Sequence, residues 1–313
     1  MPPGDPKIHN GDWWRLVLLS LLWGGSFFFV GAAIHEVPPL TIVFLRVFIA
    51  AIVLLPFVLM RGIPFPAGWA GWKPFLVMSL INNVIPFSLL TGAQYFITSG
   101  LTSVLNATTP LFTVLVMASF GEERLLPRRV AGVLMGLAGV AILKGQGIDL
   151  SSKQSIGFLM CLAATLSFGF SALWAKRQMT GMPPLGLATF QLITSSVMMG
   201  VLAFAIERPW QLPPPGTGSI LAMLGIGVLS TAAGFILFFQ IIARSGPSNV
   251  MLVTLLVPVS AILLGHFLLG EVIVTREYAG AIVIAAALLV MDGRVFALFQ
   301  RKPKSAVAGS SSN

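Results

Sequence analysis

Apolar runs, each near the length of a bilayer crossing, recur from residue 15 to residue 296, and they limit the possible folds more than any motif does. An α-helix rises 1.5 Å per residue, so crossing a hydrocarbon core of ~30 Å takes roughly 20 apolar residues. Ten such runs are read at residues 15–34, 40–60, 75–97, 102–120, 128–144, 155–175, 185–206, 219–243, 248–270 and 278–296. Only 9% of the chain is charged, against roughly 25% in a soluble domain, too little to cover a water-facing surface. The runs are continuously apolar, whereas barrel strands alternate over about ten residues. An all-α polytopic membrane protein with ten transmembrane helices is therefore expected. The connections are short and rich in Pro, Gly and charge, as in HEVPP, GEERLLP and ERPWQLPPPGTG, and none can hold a soluble domain. The first run is too long for a signal-peptide core, so no cleavable leader is expected.

The net charge of +9 does not point to nucleic acid, because the basic residues are spread over connections and ends. On alternate connections, one side of the membrane holds only Lys144, Lys153, Arg208 and Arg276. Arg46 lies inside a run, and every other Lys and Arg falls on the opposite side. Positive residues stay on the cytoplasmic side, so both termini are expected there, in a cell (inner) membrane. The single cysteine, Cys161, lies in an apolar run, excludes an intrachain disulfide and reads as a packing residue.

The two halves align. WGGS at 23–26 meets FGFS at 168–171, and Pro38, Pro39 and Leu40 meet Pro183, Pro184 and Leu185. Gln94, Ser99 and Gly100 meet Gln240, Ser245 and Gly246, and Pro110, Glu123 and Gly132 meet Pro258, Glu271 and Gly280. The order is kept while the offset drifts only slightly, as one duplication with small insertions would leave it. Five spans per half is an odd number, so the second half enters the membrane from the other side. The expected organisation is a cytoplasmic segment at 1–14, a first repeat at 15–144, an inverted second repeat at 155–296 and a disordered basic tail at 297–313. Inverted repeats are the architecture of secondary transporters, in which two similar halves exchange conformations around a site between them.

The stretches LLWGGSF, the second-span Arg46, ATTPLFTVLVMASFGEERLLPRRVAGVLMGLAGVAIL and LLVPVSAILLGHFLLGEVIVTREYAGAIVIAAALLVM resemble EamA-type members of the drug/metabolite transporter superfamily. The likeness covers residues 15–296 and implies export of amino acids and related metabolites, with distant branches exchanging nucleotide sugars or sugar phosphates. It also implies that spans 1–4 and 6–9 surround a central cavity while spans 5 and 10 pack outside.

Polar residues deep in spans are the candidate ligands. Asn82 and Asn83 stand together in span 3, and each reads either as a substrate contact or as an interhelical hydrogen bond. Pro86, one turn on, removes a ladder bond and frees carbonyls. Trp23 and Trp174 offer apolar faces with one N–H each, as cavity walls or as belt aromatics. Gln94 and Gln240 match in the repeat near span ends, as gates or interfacial residues. Pro110 and Pro258 bend spans 4 and 9, and paired interrupted helices point to a transporter's binding region. Gly132, Gly136 and Gly139 read as close helix packing, Glu123 and Glu271 as helix-end contacts, and His266 as a packing or cavity residue.

Arg46 lies about 9 Å in from the end of span 2 at 1.5 Å per residue, so its guanidinium either snorkels or serves a cavity. There it would recognise a carboxylate or phosphate through its planar fork of donors. Its repeat counterpart is the neutral Gln191. A membrane-embedded enzyme would need a nucleophile with its base, paired carboxylates or metal ligands at defined spacing, and the spans carry none of these. The expected activity is a carrier for small metabolites, aromatic or other hydrophobic amino acids first. The alternative is exchange of a small organic anion or nucleotide-sugar-like solute. No cofactor or metal is expected; the expected partners are the solute and the lipid bilayer, with the protein a monomer or homodimer.

Overall fold

The computed structural model describes residues 10–145, 152–245 and 252–292, and among these every regular element is helical. In chain order the helices are α1 (Asn10–Ala33), α2 (Pro39–Met60), α3 (Gly68–Ser79), α4 (Ile85–Ala93), α5 (Ser99–Asn106) and α6 (Thr109–Ser119). They continue as α7 (Pro127–Lys144), α8 (Lys153–Gln178), α9 (Pro184–Leu202), α10 (Thr217–Leu224), α11 (Gly234–Ser245), α12 (Val253–Leu269) and α13 (Thr275–Asp292). A π-helical stretch, Leu80–Val84, joins α3 to α4, and another, Gly225–Ala233, joins α10 to α11. Among the described residues seven continuous helical segments are long and apolar enough to cross a membrane, and the 17-residue α12 is a shorter apolar helix. The two 18-residue helices α7 and α13 carry charged residues at their ends. Phe267, Trp69 and Val272 are more than two-thirds exposed, as expected of side chains that meet lipid. This is a multi-pass helical membrane protein.

The helix limits follow local chemistry. Pro39, Pro127 and Pro184 sit in the first turn of α2, α7 and α9, where a missing N–H costs nothing. Gly270, at a left-handed φ of 68°, ends α12. The third segment begins at Gly68 and not near residue 75: the stretch GWAGWKP, read as connection, is already helical. Residues 246–251, with the repeat member Gly246, and residues 293–313 lie outside the described part.

The halves interlock. α1 packs on α12 and α6 on α8, α2 packs on α9, and α7 packs on α13. Exchanging the halves leaves this set of pairings unchanged. Glycines explain two of the closest crossings. A Cβ on Gly24 would meet Val257 O at 2.9 Å and Ala261 N at 2.9 Å on α12, and a Cβ on the matched Gly169 would meet Phe112 O at 3.1 Å on α6. WGGS and FGFS are therefore equivalent contact points between the halves. In the α7–α13 crossing, Gly132, Gly139 and Gly280 form the seam, while Gly136 faces Leu111 of α6 instead.

Candidate functional site

The matched irregular stretches lie in the third and eighth spans, where sequence reasoning had looked to the fourth and ninth. Pro110 stands in the first turn of α6, just after a break at residues 107–108, but Pro258 sits inside a continuous α12. Leu80–Val84 and Gly225–Ala233 instead start at equivalent positions of the repeat. In the first, the Ile85 N–H reaches back to Leu80 O, one residue further than in an α-helix, and Pro86 supplies no N–H. The bypassed Ile81 carbonyl accepts from Ser167 Oγ of α8 at 2.6 Å. A backbone acceptor exposed by proline is thus satisfied by a neighbouring helix, as hydrocarbon requires.

Asn82 and Asn83 occupy this stretch. Asn82 Oδ1 accepts from Ser171 Oγ of α8 at 2.9 Å, and Asn82 Nδ2 donates to Asn83 Oδ1 at 3.3 Å. Asn83, fully buried, donates from Nδ2 to Ser195 Oγ of α9 at 2.8 Å. Ser195 Oγ donates to the carbonyl of Gln191 at 2.6 Å, which also accepts from Ser79 Oγ at 2.7 Å. Gln191 is 1% exposed, and its side-chain Oε1 has no hydrogen-bond partner. One polar chain therefore runs from α8 through the third span to α9, joining Asn82, Asn83 and Gln191. Of its serines, Ser171 was visible in the sequence only as the last residue of the FGFS repeat match, and Ser195 read as an ordinary small residue.

Arg46 is half-buried and stands on the other side of the third span. Its guanidinium carbon lies 3.9 Å from the centroid of Phe87, one turn beyond Asn83. A cation over a desolvated ring is held by the ring quadrupole. Arg46 Nε donates to Thr231 Oγ1 at 3.1 Å, and Thr231 Oγ1 donates to Ile226 O at 2.7 Å within the second π-helical stretch. Among the described residues no carboxylate pairs with Arg46, and its two terminal amino groups make no hydrogen bond to the protein. Phe87 and Thr231 together fix the orientation of the guanidinium.

The tryptophans stand on either flank. Trp23 packs on Phe238 at 5.3 Å, and a Cβ on Gly234, one turn from Thr231, would meet its Nε1 at 2.7 Å. Trp174 Nε1 donates to Pro74 O at 3.1 Å and lies in an apolar cluster with Phe75 and Phe190, one turn from Ser171. Gln94 is half-buried at the end of α4, whereas its match Gln240 is exposed. Glu123 pairs with Arg129, and His266 Nδ1 lies 3.0 Å from Glu271 O.

Three carboxylates tie helix starts across the halves. Glu271 accepts from Ser99 N at 2.8 Å, Ser99 Oγ at 2.9 Å and Gly100 N at 3.3 Å at the start of α5. Glu207 accepts from Leu40 N at 2.8 Å, Thr41 N at 2.7 Å and Thr41 Oγ1 at 2.8 Å at the start of α2. Glu36 accepts from Gly216 N at 2.7 Å, just before α10. Hydrogen bonds from Ser219 and the Gly216 backbone hold the Glu36 carboxyl below its usual range. A negative group at a helix N-terminus satisfies orphan N–H groups and the helix dipole together. Sequence reasoning passed over Glu36 and Glu207, since the targets of Glu207 are 166 and 167 residues away.

Known proteins agree with this architecture. A crystal structure of a protein superposes with a TM-score of 0.64 at 20% identity, covering 93% of this chain and 98% of that one. The "Uncharacterized transporter YoaV" of Bacillus subtilis (strain 168) is 26% identical over 87% of this chain and 94% of its own length. The "Uncharacterized inner membrane transporter YedA" of Escherichia coli (strain K12) is 28% identical over 92% of each chain. A "Probable amino-acid metabolite efflux pump" of Salmonella typhimurium (strain LT2) is 26% identical over 90% of this chain and 95% of its own. Residues 11–144 and 155–291 each match the EamA-like transporter family, and the chain, a transporter of the drug/metabolite type, belongs to that family.

Proposed function

We propose that this protein is a secondary carrier that exports small metabolites, amino acids with aromatic or other hydrophobic side chains first. Transport proceeds by alternating access through a central cavity between two inverted five-helix repeats. The observation that carries the reading is Arg46: a guanidinium inside a span, seated on Phe87 and steered by Thr231, with two amino groups left for a ligand. A carboxylate fits that fork bidentately. Asn82 and Gln191 supply polar edges, and Trp23 and Trp174 supply apolar walls for a side chain.

The inverted repeat is supported by helix pairings that survive exchange of the halves and by the two separate family matches. In this reading α7, α12 and α13 complete ten crossings, and the charge bias puts both termini in the cytoplasm of an inner membrane. Amino-acid export is supported by the name of one relative at 26% identity. Gln94 and Gln240 act as gates at opposite ends, one closed in and one exposed. Pro86 and Pro110 set helix irregularities around the cavity. A single central cation suits a zwitterion better than a nucleotide sugar, whose phosphates call for several.

The test is uptake of a labelled amino-acid panel into proteoliposomes with no imposed ion gradient, for wild type and Arg46→Gln. Saturable uptake with counterflow, and a variant whose half-saturation rises about ten-fold or more for carboxylate-bearing solutes, is the expected result. Uptake by Arg46→Gln equal to wild type removes Arg46 as a ligand. Failure of folded wild type to take up any of the panel, together with saturable uptake of organic anions, favours the exchanger alternative.

A further inference from the structure

A polar cavity of about 560 Å³ lies at one end of the bundle, among α1, the α4–α5 turn and the connection from α12 to α13. The polar side chains on its wall include Thr98 and Ser99 beside His35, Gln94, Tyr95, Gln154, Glu271 and Glu277. The repeat charge bias places this end away from the cytoplasm, on the exit side of an exporter. The matched Gln240 is exposed.

Two acceptors on the wall, Gln94 Oε1 and the Glu277 carboxylate, are short of donors. Gln94 Oε1 is buried without a hydrogen-bond partner. It is held close to α1, 3.5 Å from where a Cβ on Gly31 would stand. Glu277 is only 9% exposed. Its Oε2 receives one long bond, 3.4 Å, from Val274 N, and no protein donor reaches its other oxygen among the described residues. Glu271 is engaged with Ser99 and Gly100, and it adds fixed negative charge beside Glu277. The nearby cation, Arg276, attracts Glu277, but its Nη1 is placed 2.9 Å from the Cβ position of Gly145 and its Nε is buried without an acceptor.

The under-satisfied acceptors Gln94 Oε1 and Glu277, with the Glu271 carboxylate beside them, disfavour an anion, whereas a group with several donors and no acceptor matches them. A primary ammonium is such a group, with three N–H donors and a compact positive charge. We propose that this cavity is an exit subsite for the ammonium group of the carried solute, with Gln94 Oε1 and the Glu277 carboxylate as acceptors and Glu271 as the adjacent fixed charge. This inference rests on the carrier reading and narrows it: the solute is an α-amino acid, whose carboxylate meets Arg46 and whose ammonium meets the exit end on the way out. Plain carboxylates lack the second handle.

The experiment uses the full chain in vesicles of phosphatidylcholine and phosphatidylglycerol, so that no lipid headgroup supplies a primary ammonium on its own except as an added arm with phosphatidylethanolamine. Phenylalanine, 3-phenylpropionate and phenethylamine, and the matching leucine, 4-methylpentanoate and isoamylamine, compete for counterflow in wild type, Glu277→Gln and Gln94→Leu. Melting and monodispersity confirm that each variant is folded. The expected result is a rise of about ten-fold or more in half-saturation for the amino acid and amine in Glu277→Gln, from loss of a charge-assisted hydrogen bond, and a smaller rise in Gln94→Leu. The deaminated acids keep their wild-type inhibition. Amino-acid transport with unchanged half-saturation in both variants overturns the exit subsite and leaves the carrier reading standing. So does an equal shift for the deaminated acids, which marks a purely structural role. An effect seen only with phosphatidylethanolamine present assigns the pocket to lipid and overturns the solute subsite. Absence of saturable transport of either amino acid by folded wild type overturns both.

Discussion

Replacing Glu207 with alanine is the most direct test of the carboxylate ties between the halves. At the start of α2, Pro38 cannot cap with its side chain and Pro39 has no N–H, so the orphan donors are those of Leu40 and Thr41. Both go to Glu207, at 2.8 and 2.7 Å, and the Ile42 N–H already bonds Pro38 O. Alanine therefore leaves two N–H groups and the Thr41 hydroxyl without their acceptor. A fully buried unsatisfied donor costs about 1–3 kcal/mol, and a lost cap about 0.5–2 kcal/mol. Water at the end of the bundle relieves part of this, so a loss of about 2–4 kcal/mol is expected. At ~2 °C per kcal/mol for a chain larger than a small domain, melting falls by about 4–8 °C. The assay is built in: Cys161, the single cysteine, is 0% exposed, so a thiol-reactive dye lights up only on unfolding. Glu207→Gln keeps one oxygen for one donor and falls about half as far. Melting of Glu207→Ala indistinguishable from wild type refutes the reasoning, because it shows that the N–H groups need no partner from the other half.

Two further outcomes follow from contacts elsewhere. Gly139→Leu places a Cβ 3.1 Å from Ile284 N and 3.2 Å from Gly280 O, where backbone cannot yield, and it lowers stability by about 1–3 kcal/mol or more by the same dye assay. Gly218→Ala, which meets nothing within 4 Å, serves as the neutral control. At the opposite end of the bundle, Glu122 accepts from Arg177 Nε at 2.7 Å and lies 3.0 Å from Lys176 Nζ, and hydrogen bonds from Arg177 and then Lys176 lower its pKa. A lowered carboxyl pKa contributes stability that is complete above the ordinary value of 4.5 and is lost as pH falls through the folded value. The melting difference between wild type and Glu122→Gln is accordingly constant above that pH and closes below it; a difference that persists in acid contradicts the pairing.

The sequence alone made the membrane-helical class unavoidable, because apolar length and scarce charge are local properties that no tertiary contact reverses. The order of Pro, Gly, Gln and Glu matches made the repeat legible too, and Gly24 and Gly169 show why those positions matter: each is the point where one half touches the other. Asn82, Asn83, Gln191 and Arg46 could be picked out as costly groups in hydrocarbon. What answers them could not. Ser171, Ser195, Thr231 and Phe87 are ordinary residues until folding brings them across from other helices. The start of the third span at Gly68 escaped because Trp, Lys and Pro there weaken the apolar signal without preventing a helix. The matched π-helical stretches also escaped, since a five-residue backbone step is a response to packing and to Pro86, and Gly225–Ala233 contains no proline at all. Solvation in the bilayer is decided residue by residue along the chain. The partners of a buried donor or charge are decided only when segments distant in the chain meet, as Thr231, 185 residues on, meets Arg46.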